Sequence, residues 1–148
     1  MTELSDRMKA DTREEWREFG FFYTSDDSAK EWLLSGDKAG LLGFADMLDA
    51  YAAEPRFATK SEHEHFGPHW YLKVVTWSEA RIDGHAIWGS QADIARLAQL
   101  VRSAVKAAQA GDSINIREQY SGDSEYTLVL KVQVDGFDPA SLDPQLAG

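Results

Sequence analysis

Cysteine is absent from the 148-residue chain. That one absence excludes disulfides, thiolate zinc sites, iron–sulfur clusters and a cysteine nucleophile together, and it suits a reducing compartment. Basic side chains are scarce beside acidic ones, 15 against 25, which leaves a formal net charge of −10. Nucleic acid is therefore not an expected partner, because its phosphates would be repelled. Long hydrophobic runs are missing as well. No stretch approaches the roughly 18 uninterrupted apolar residues of a membrane span, and Met1 to Glu18 is charged throughout, with no apolar core of a signal peptide. Neither export nor membrane insertion is expected, and a cytoplasmic location is. The chain also lacks a phosphate-binding loop, a dinucleotide fingerprint and a serine-nucleophile elbow. No cofactor is expected, and a binding protein is favoured over an enzyme.

Hydrophobic residues make up 43% of the chain and aromatics 11%, enough to offset the ordering entropy of one packed domain over residues 1–148. The ends differ from the rest: residues 1–18 read as a charged N-terminal segment and 136–148 as a C-terminal tail. Charge is uneven, since residues 1–54 hold 13 acidic and 6 basic side chains, and the remainder 12 and 9. An acidic surface attracts basic partners, although acidity also serves solubility alone. Adjacent pairs such as Glu14 with Glu15 and Asp26 with Asp27 are most simply solvated surface, because neighbours in sequence do not converge on a substrate.

Two helices are marked by period. Ile94, Leu97, Ala98, Val101, Ala104, Val105 and Ala108 form one stripe opened by Ser90 with Asp93 and closed by Gly111. Lys38 to Ala53 aligns Leu41, Phe44, Ala45, Leu48 and Ala52 behind an Asp37 or Ser35 cap; its Gly40 and Gly43 weaken the pattern. Alternation places strands at Tyr126 to Val134, Phe19 to Thr24, Lys30 to Leu34, Trp70 to Trp77, Ile82 to Trp88 and Ser113 to Glu118. The order ββα-ββα-ββ predicts an α+β fold, a mostly antiparallel six-stranded sheet with both helices on one face. A gapless offset of 53 brings Phe19 onto Leu72, Leu34 onto Ile87, Gly36 onto Gly89 and Leu41 onto Ile94. An internal repeat and a shared pattern without common ancestry account for this equally well.

Helices on one face leave the other open. Tyr71, Lys73, Val75 and Trp77 should lie there, with Phe22 beside them by the repeat and Glu62 and Glu64 among the carboxylates at its rim. Large aromatics on an open sheet face are candidates for a partner surface. A homodimer or a terminal segment would cover the same face equally well. The only concentration of chemistry-bearing side chains is His63, His65 and His69, interleaved with Glu62 and Glu64. Extended backbone would point His63 and His65 the same way, with His69 or His85 as a third metal ligand. Gly67-Pro68 marks this stretch as a loop, however, and tight metal binding is not expected.

Ser61-Glu62-His63-Glu64-His65-Phe66-Gly67-Pro68, Tyr71-Leu72-Lys73, Asp123-Ser124-Glu125-Tyr126 and Asp135-Gly136-Phe137-Asp138-Pro139 resemble segments of small bacterial immunity proteins of polymorphic toxin systems. The likeness runs from about Phe19 to Pro144. It implies a cytoplasmic antitoxin that binds and blocks a cognate toxin domain, and such a toxin, if it cuts nucleic acid, would be basic. The residues themselves leave two other readings open: a metal- or small-ligand-binding domain or enzyme using the histidine stretch, and a homodimeric structural protein.

Overall fold

The structure is a computed structural model, which describes residues 5–146. Residues 1–4 and 147–148 of the two end segments lie outside them. The N-terminal segment forms a helix, α1 (Asp6–Phe19), started by the Ser5 hydroxyl, which accepts from the Met8 N–H, and stopped by Gly20 at φ 95°. Left-handed backbone here is the ordinary glycine helix ending. Trp16 is the one residue of α1 that is fully buried. A charged helix can thus contribute to the core through a single indole.

Next come β1 (Phe21–Asp26), β2 (Glu31–Gly36), α2 (Lys38–Ala53), β3 (His63–Phe66), β4 (Leu72–Thr76), β5 (Arg81–Ile82) and β6 (Ile87–Gly89). The chain continues through α3 (Gln91–Ala107), β7 (Ser113–Ile116), the single turn α4 (Glu118–Ser121) and β8 (Thr127–Val132). Both long helices start as their residues dictate: Asp37 caps α2 by accepting from the Gly40 N–H at 2.8 Å, and Ser90 with Asp93 forms a reciprocal capping box on α3.

The fold is α+β, but the single six-stranded antiparallel sheet is not what forms. There are two four-stranded mixed sheets, ordered β1-β2-β8-β7 and β3-β4-β6-β5. In each, a parallel central pair (β2 with β8, β4 with β6) is flanked by antiparallel neighbours. The two sheets are wired alike. A hairpin that leads into a long helix (β1-β2 into α2, β5-β6 into α3) has as the parallel neighbour of its second strand one strand of another antiparallel pair, β8 of β7-β8 or β4 of β3-β4. Alternation shows that a strand exists and which side is apolar, but it carries no information on which strand lies alongside.

The offset of 53 survives only in part. It carries β2 and α2 onto β6 and α3, but it sends β1 onto residues 74–79, where β4 runs, whereas the hairpin partner of β6 is β5. Ile82 to Trp88 is therefore a tight hairpin and not one strand, and His63 to Phe66 is a strand and not a loop. The helices α2 and α3 pack along each other; α2 lies on β1, β2 and β8, while α3 touches β7 and β6. Leu41, Phe44 and Leu48 of α2 join Ile94, Leu97 and Val101 of α3, Leu72 and Val74 of β4 and Leu128, Leu130 and Val132 of β8 in one core.

The two glycines of α2 have opposite meanings. A Cβ on Gly40 would lie 1.9 Å from the Gly20 carbonyl oxygen, whereas one on Gly43 would meet nothing within 4 Å. Gly40→Ala is expected to destabilise by about 1–3 kcal/mol despite the better helix propensity of alanine, and Gly43→Ala to stabilise by about 0.5–1 kcal/mol. Urea unfolding of the two variants checks the sign of each.

Candidate functional site

β4 sorts its side chains by parity. Leu72 and Val74 point to the core, and Lys73 and Val75 to the other side. Register then sets the neighbours on that outer side. Val75 stands between His63 of β3 and Trp88 of β6, and Trp88 stands beside Arg81 of β5; in the next row His65 faces Lys73. Ser61, His63, Lys73, Val75, Trp77, Arg81 and Trp88 together line an open depression of about 330 Å³.

The chemistry of this face is aromatic and cationic. The rings of Trp77 and Trp88 meet edge to face at 5.6 Å. Lys60 Nζ sits 4.2 Å over Trp77, and the Arg81 guanidinium 4.4 Å over Trp88, each a cation held by an electron-rich ring. Arg81 has one carboxylate near it, Asp83, whose Oδ2 lies 3.5 Å from Nε, an ion pair too long and misaligned to count as a hydrogen bond. This Nε and the Trp88 Nε1 are buried with no hydrogen-bond partner among the described residues.

At the far end of β3, His65 lies 6.3 Å from Trp70, ring over ring, and its Nδ1 is 3.0 Å from the Trp70 carbonyl oxygen. Trp70 is 69% exposed at φ 61°, and Tyr71 is 67% exposed. A left-handed conformation costs a bulky L residue about 1 kcal/mol, and exposing an indole forgoes its burial. The turn Gly67-Pro68-His69-Trp70, closed by the Trp70 N–H on the Gly67 carbonyl, thus holds a strained tryptophan in solvent.

The residues expected at a partner surface are divided by the structure. Val75 and Trp77 are neighbours on this face, and Tyr71 stands at its end. Val75 is only 5% exposed beneath its larger neighbours. Phe22 is elsewhere: it belongs to β1 of the other sheet and is sealed under α1, its ring 4.7 Å from that of Trp16. Glu64 points to the opposite side of β3, where it borders a separate hollow with Met47, Tyr51, Glu54 and Phe57. Glu62 is exposed next to β3, and its backbone carbonyl accepts from the Tyr51 hydroxyl. The carboxylate rim is therefore not gathered here; Lys73 lies on this face as alternation places it, and Lys60, Trp70, Arg81 and Trp88, which alternation does not point to, join it. Trp88 is not evident from alternation because Ile82 to Trp88 has the pattern of one run, whereas a turn divides it into β5 and β6.

His63 and His65 lie together on the outer face of β3, ring centroids 5.3 Å apart. His69 is drawn away, with Nε2 2.9 Å from Asp143 Oδ2, and His85 sits in the β5–β6 turn. Among the described residues no three His, Asp or Glu side chains are placed around one ion, and none of the described helices is long and apolar enough to cross a membrane. Compared with protein-family models, with curated proteins and with solved structures, the chain shows no match.

Proposed function

We propose that the protein is an inhibitor of the immunity type, which neutralises a cognate toxin domain by binding it with the outer face of the second sheet. The observation that carries this reading is Trp70, held strained and exposed at the end of a strip that continues through His65 and His63 to Trp77, Trp88 and Arg81. Tryptophan, tyrosine and arginine contribute most per residue at protein interfaces, and this face collects all three. A net charge of −10 favours encounter with a basic toxin at long range. On contact, Lys60, Lys73 and Arg81 pair locally with carboxylates or carbonyls of the partner, which fixes the docked orientation.

The test is co-expression with candidate toxin domains drawn from the genes that neighbour this one. Growth should be rescued, and the two chains should co-purify one to one, with the protein monomeric by light scattering when alone. Failure of both rescue and complex formation would overturn the reading. So would a homodimer whose interface covers Trp70 and Trp77.

A further inference from the structure

The two edges of the second sheet differ. At β5 the Ile82 N–H donates to Ser124 Oγ and the Ile82 carbonyl accepts from the Tyr126 N–H, so that edge is closed. At the other edge β3 pairs with β4 alone, and the ladder fixes which of its backbone groups are spare. The Thr76 N–H donates to the Glu62 carbonyl. By antiparallel alternation Glu64 and Phe66 also turn their N–H and C=O groups to β4, and His63 and His65 turn theirs outward.

On its inner side this edge borders a hollow of about 470 Å³ between β3, the end of α2 and the turn Pro55–Ala58. Tyr51 and Phe57 are its buried floor, stacked at 4.2 Å, and the Tyr51 hydroxyl is engaged with the Glu62 carbonyl and Thr76 Oγ1. Met47, Ala50 and Phe66 supply the accessible apolar wall. The charged groups are Glu54, Glu64 and Arg56. Among the described residues the Glu54 carboxylate accepts only the Arg56 N–H and the Glu64 carboxylate has no partner. The Arg56 guanidinium lies over the Phe57 ring at 4.5 Å, in no ion pair among the same residues. Two carboxylates against one guanidinium leave the hollow negative.

These charges decide what can pair with the edge. A second copy is opposed: antiparallel self-pairing that matches His63 with His65 sets Glu64 against Glu64, and a slip that matches His63 with His63 sets Glu62 against Glu64, with like charges directly opposite. The same carboxylates favour a basic chain. We infer that β3 takes, as a fifth strand of its sheet, an extended segment of the toxin with lysine or arginine at alternate positions. The basic side chains enter the hollow, their stems on Met47 and Phe66 and their charges beside Glu64 and Glu54, while the intervening residues join His63 and His65 on the outer face. This rests on the immunity reading for the partner's identity, and adds its chemistry and its mode of docking.

The full chain is titrated with a blocked hexapeptide of alternating lysine and valine, and with its glutamate counterpart, while the backbone amide resonances of His63 and His65 are followed. Expected is binding of the lysine peptide near about 1 mM, with the glutamate peptide about tenfold weaker. Glu64→Gln should close most of that gap. His63→Pro removes an outward N–H that the monomer does not use, and should bind the lysine peptide about tenfold more weakly than His63→Ala, which loses the same imidazole. Asn115→Pro, on β7 at the edge of the other sheet, should bind it as the parent does. Equal binding of the two peptides by the unmodified protein, or no shift of His63 and His65 at about 10 mM lysine peptide, would overturn the inference. With a toxin domain that rescues growth, the His63 and His65 amides should exchange about tenfold more slowly in the complex. A complex that buries Trp70 and Trp77 but leaves those amides exchanging as before would overturn strand addition and leave the immunity reading standing. Absence of any complex overturns that reading, and the peptides still decide the chemistry of the edge.

Discussion

Trp16→Ala is expected to remove about 3–5 kcal/mol of stability, the range for truncating a fully buried tryptophan. The indole lies against Phe19, Phe22 and Tyr23 and is the only fully buried side chain of α1. Its loss leaves a cavity and also strips a donor from buried Asp143. Trp16→Phe separates the two effects. Most of the packing survives, but the lost Nε1 hydrogen bond to Asp143 should still cost about 1–2 kcal/mol. Urea unfolding of the two variants measures both. A Trp16→Ala protein as stable as the parent would show that α1 is an ornament on the fold.

Acid acts on the same junction. Burial is the largest single influence on Asp143 and opposes its ionisation, yet the hydrogen bonds from His69, Trp16 and Gln145 together outweigh it and hold the carboxyl below its ordinary pKa of 3.8. The unfolded chain therefore binds the proton more readily than the folded one. The stabilisation from this group is fully present above the ordinary carboxylate range and is lost as pH falls through the lowered value. Trp16→Phe, which removes one of those bonds, should lessen this acid sensitivity.

Trp77→Ala and Trp70→Gly are expected to weaken partner binding by at least about 2 kcal/mol each, roughly thirtyfold, with different consequences for the monomer. Trp77 packs edge to face on Trp88 and beneath Lys60, so its truncation should cost about 1 kcal/mol of folding stability. Trp70 is mostly solvent-exposed in a conformation that suits glycine. Replacing it with glycine relieves the backbone and should leave stability unchanged or raise it by about 0.5–1 kcal/mol. A variant that folds better and binds worse is the signature of a side chain retained for a partner. Isothermal titration beside urea unfolding reads both quantities, and a Trp70→Gly protein that binds normally would move the interface elsewhere. Lys60→Ala, at the rim, removes a local pairing while leaving the chain still more acidic, so it should chiefly speed dissociation and leave long-range association with a basic partner undiminished.

Local pattern reached the elements well. The α2 and α3 stripes, the Ser90–Asp93 box and the alternation of Tyr126, Leu128, Leu130 and Val132 depend on residues within a few positions of each other, and each stands in the structure where its spacing puts it. The parity of β4 is equally readable: alternation alone puts Val75 and Trp77 on the side away from the core. What spacing could not supply was partnership. The strip from Trp70 to Arg81 exists because β3, β4, β6 and β5 lie side by side in one register. Phe22, with the same parity and the same hydrophobicity, falls into another sheet and is closed over by Trp16. The junction of Trp16, His69 and Asp143 depends further still on long-range contact, since His69 and Asp143 are 74 positions apart. A side chain's face is set by its own backbone, whereas a site is set by which distant backbones pair, and that pairing is decided by burial over the whole chain.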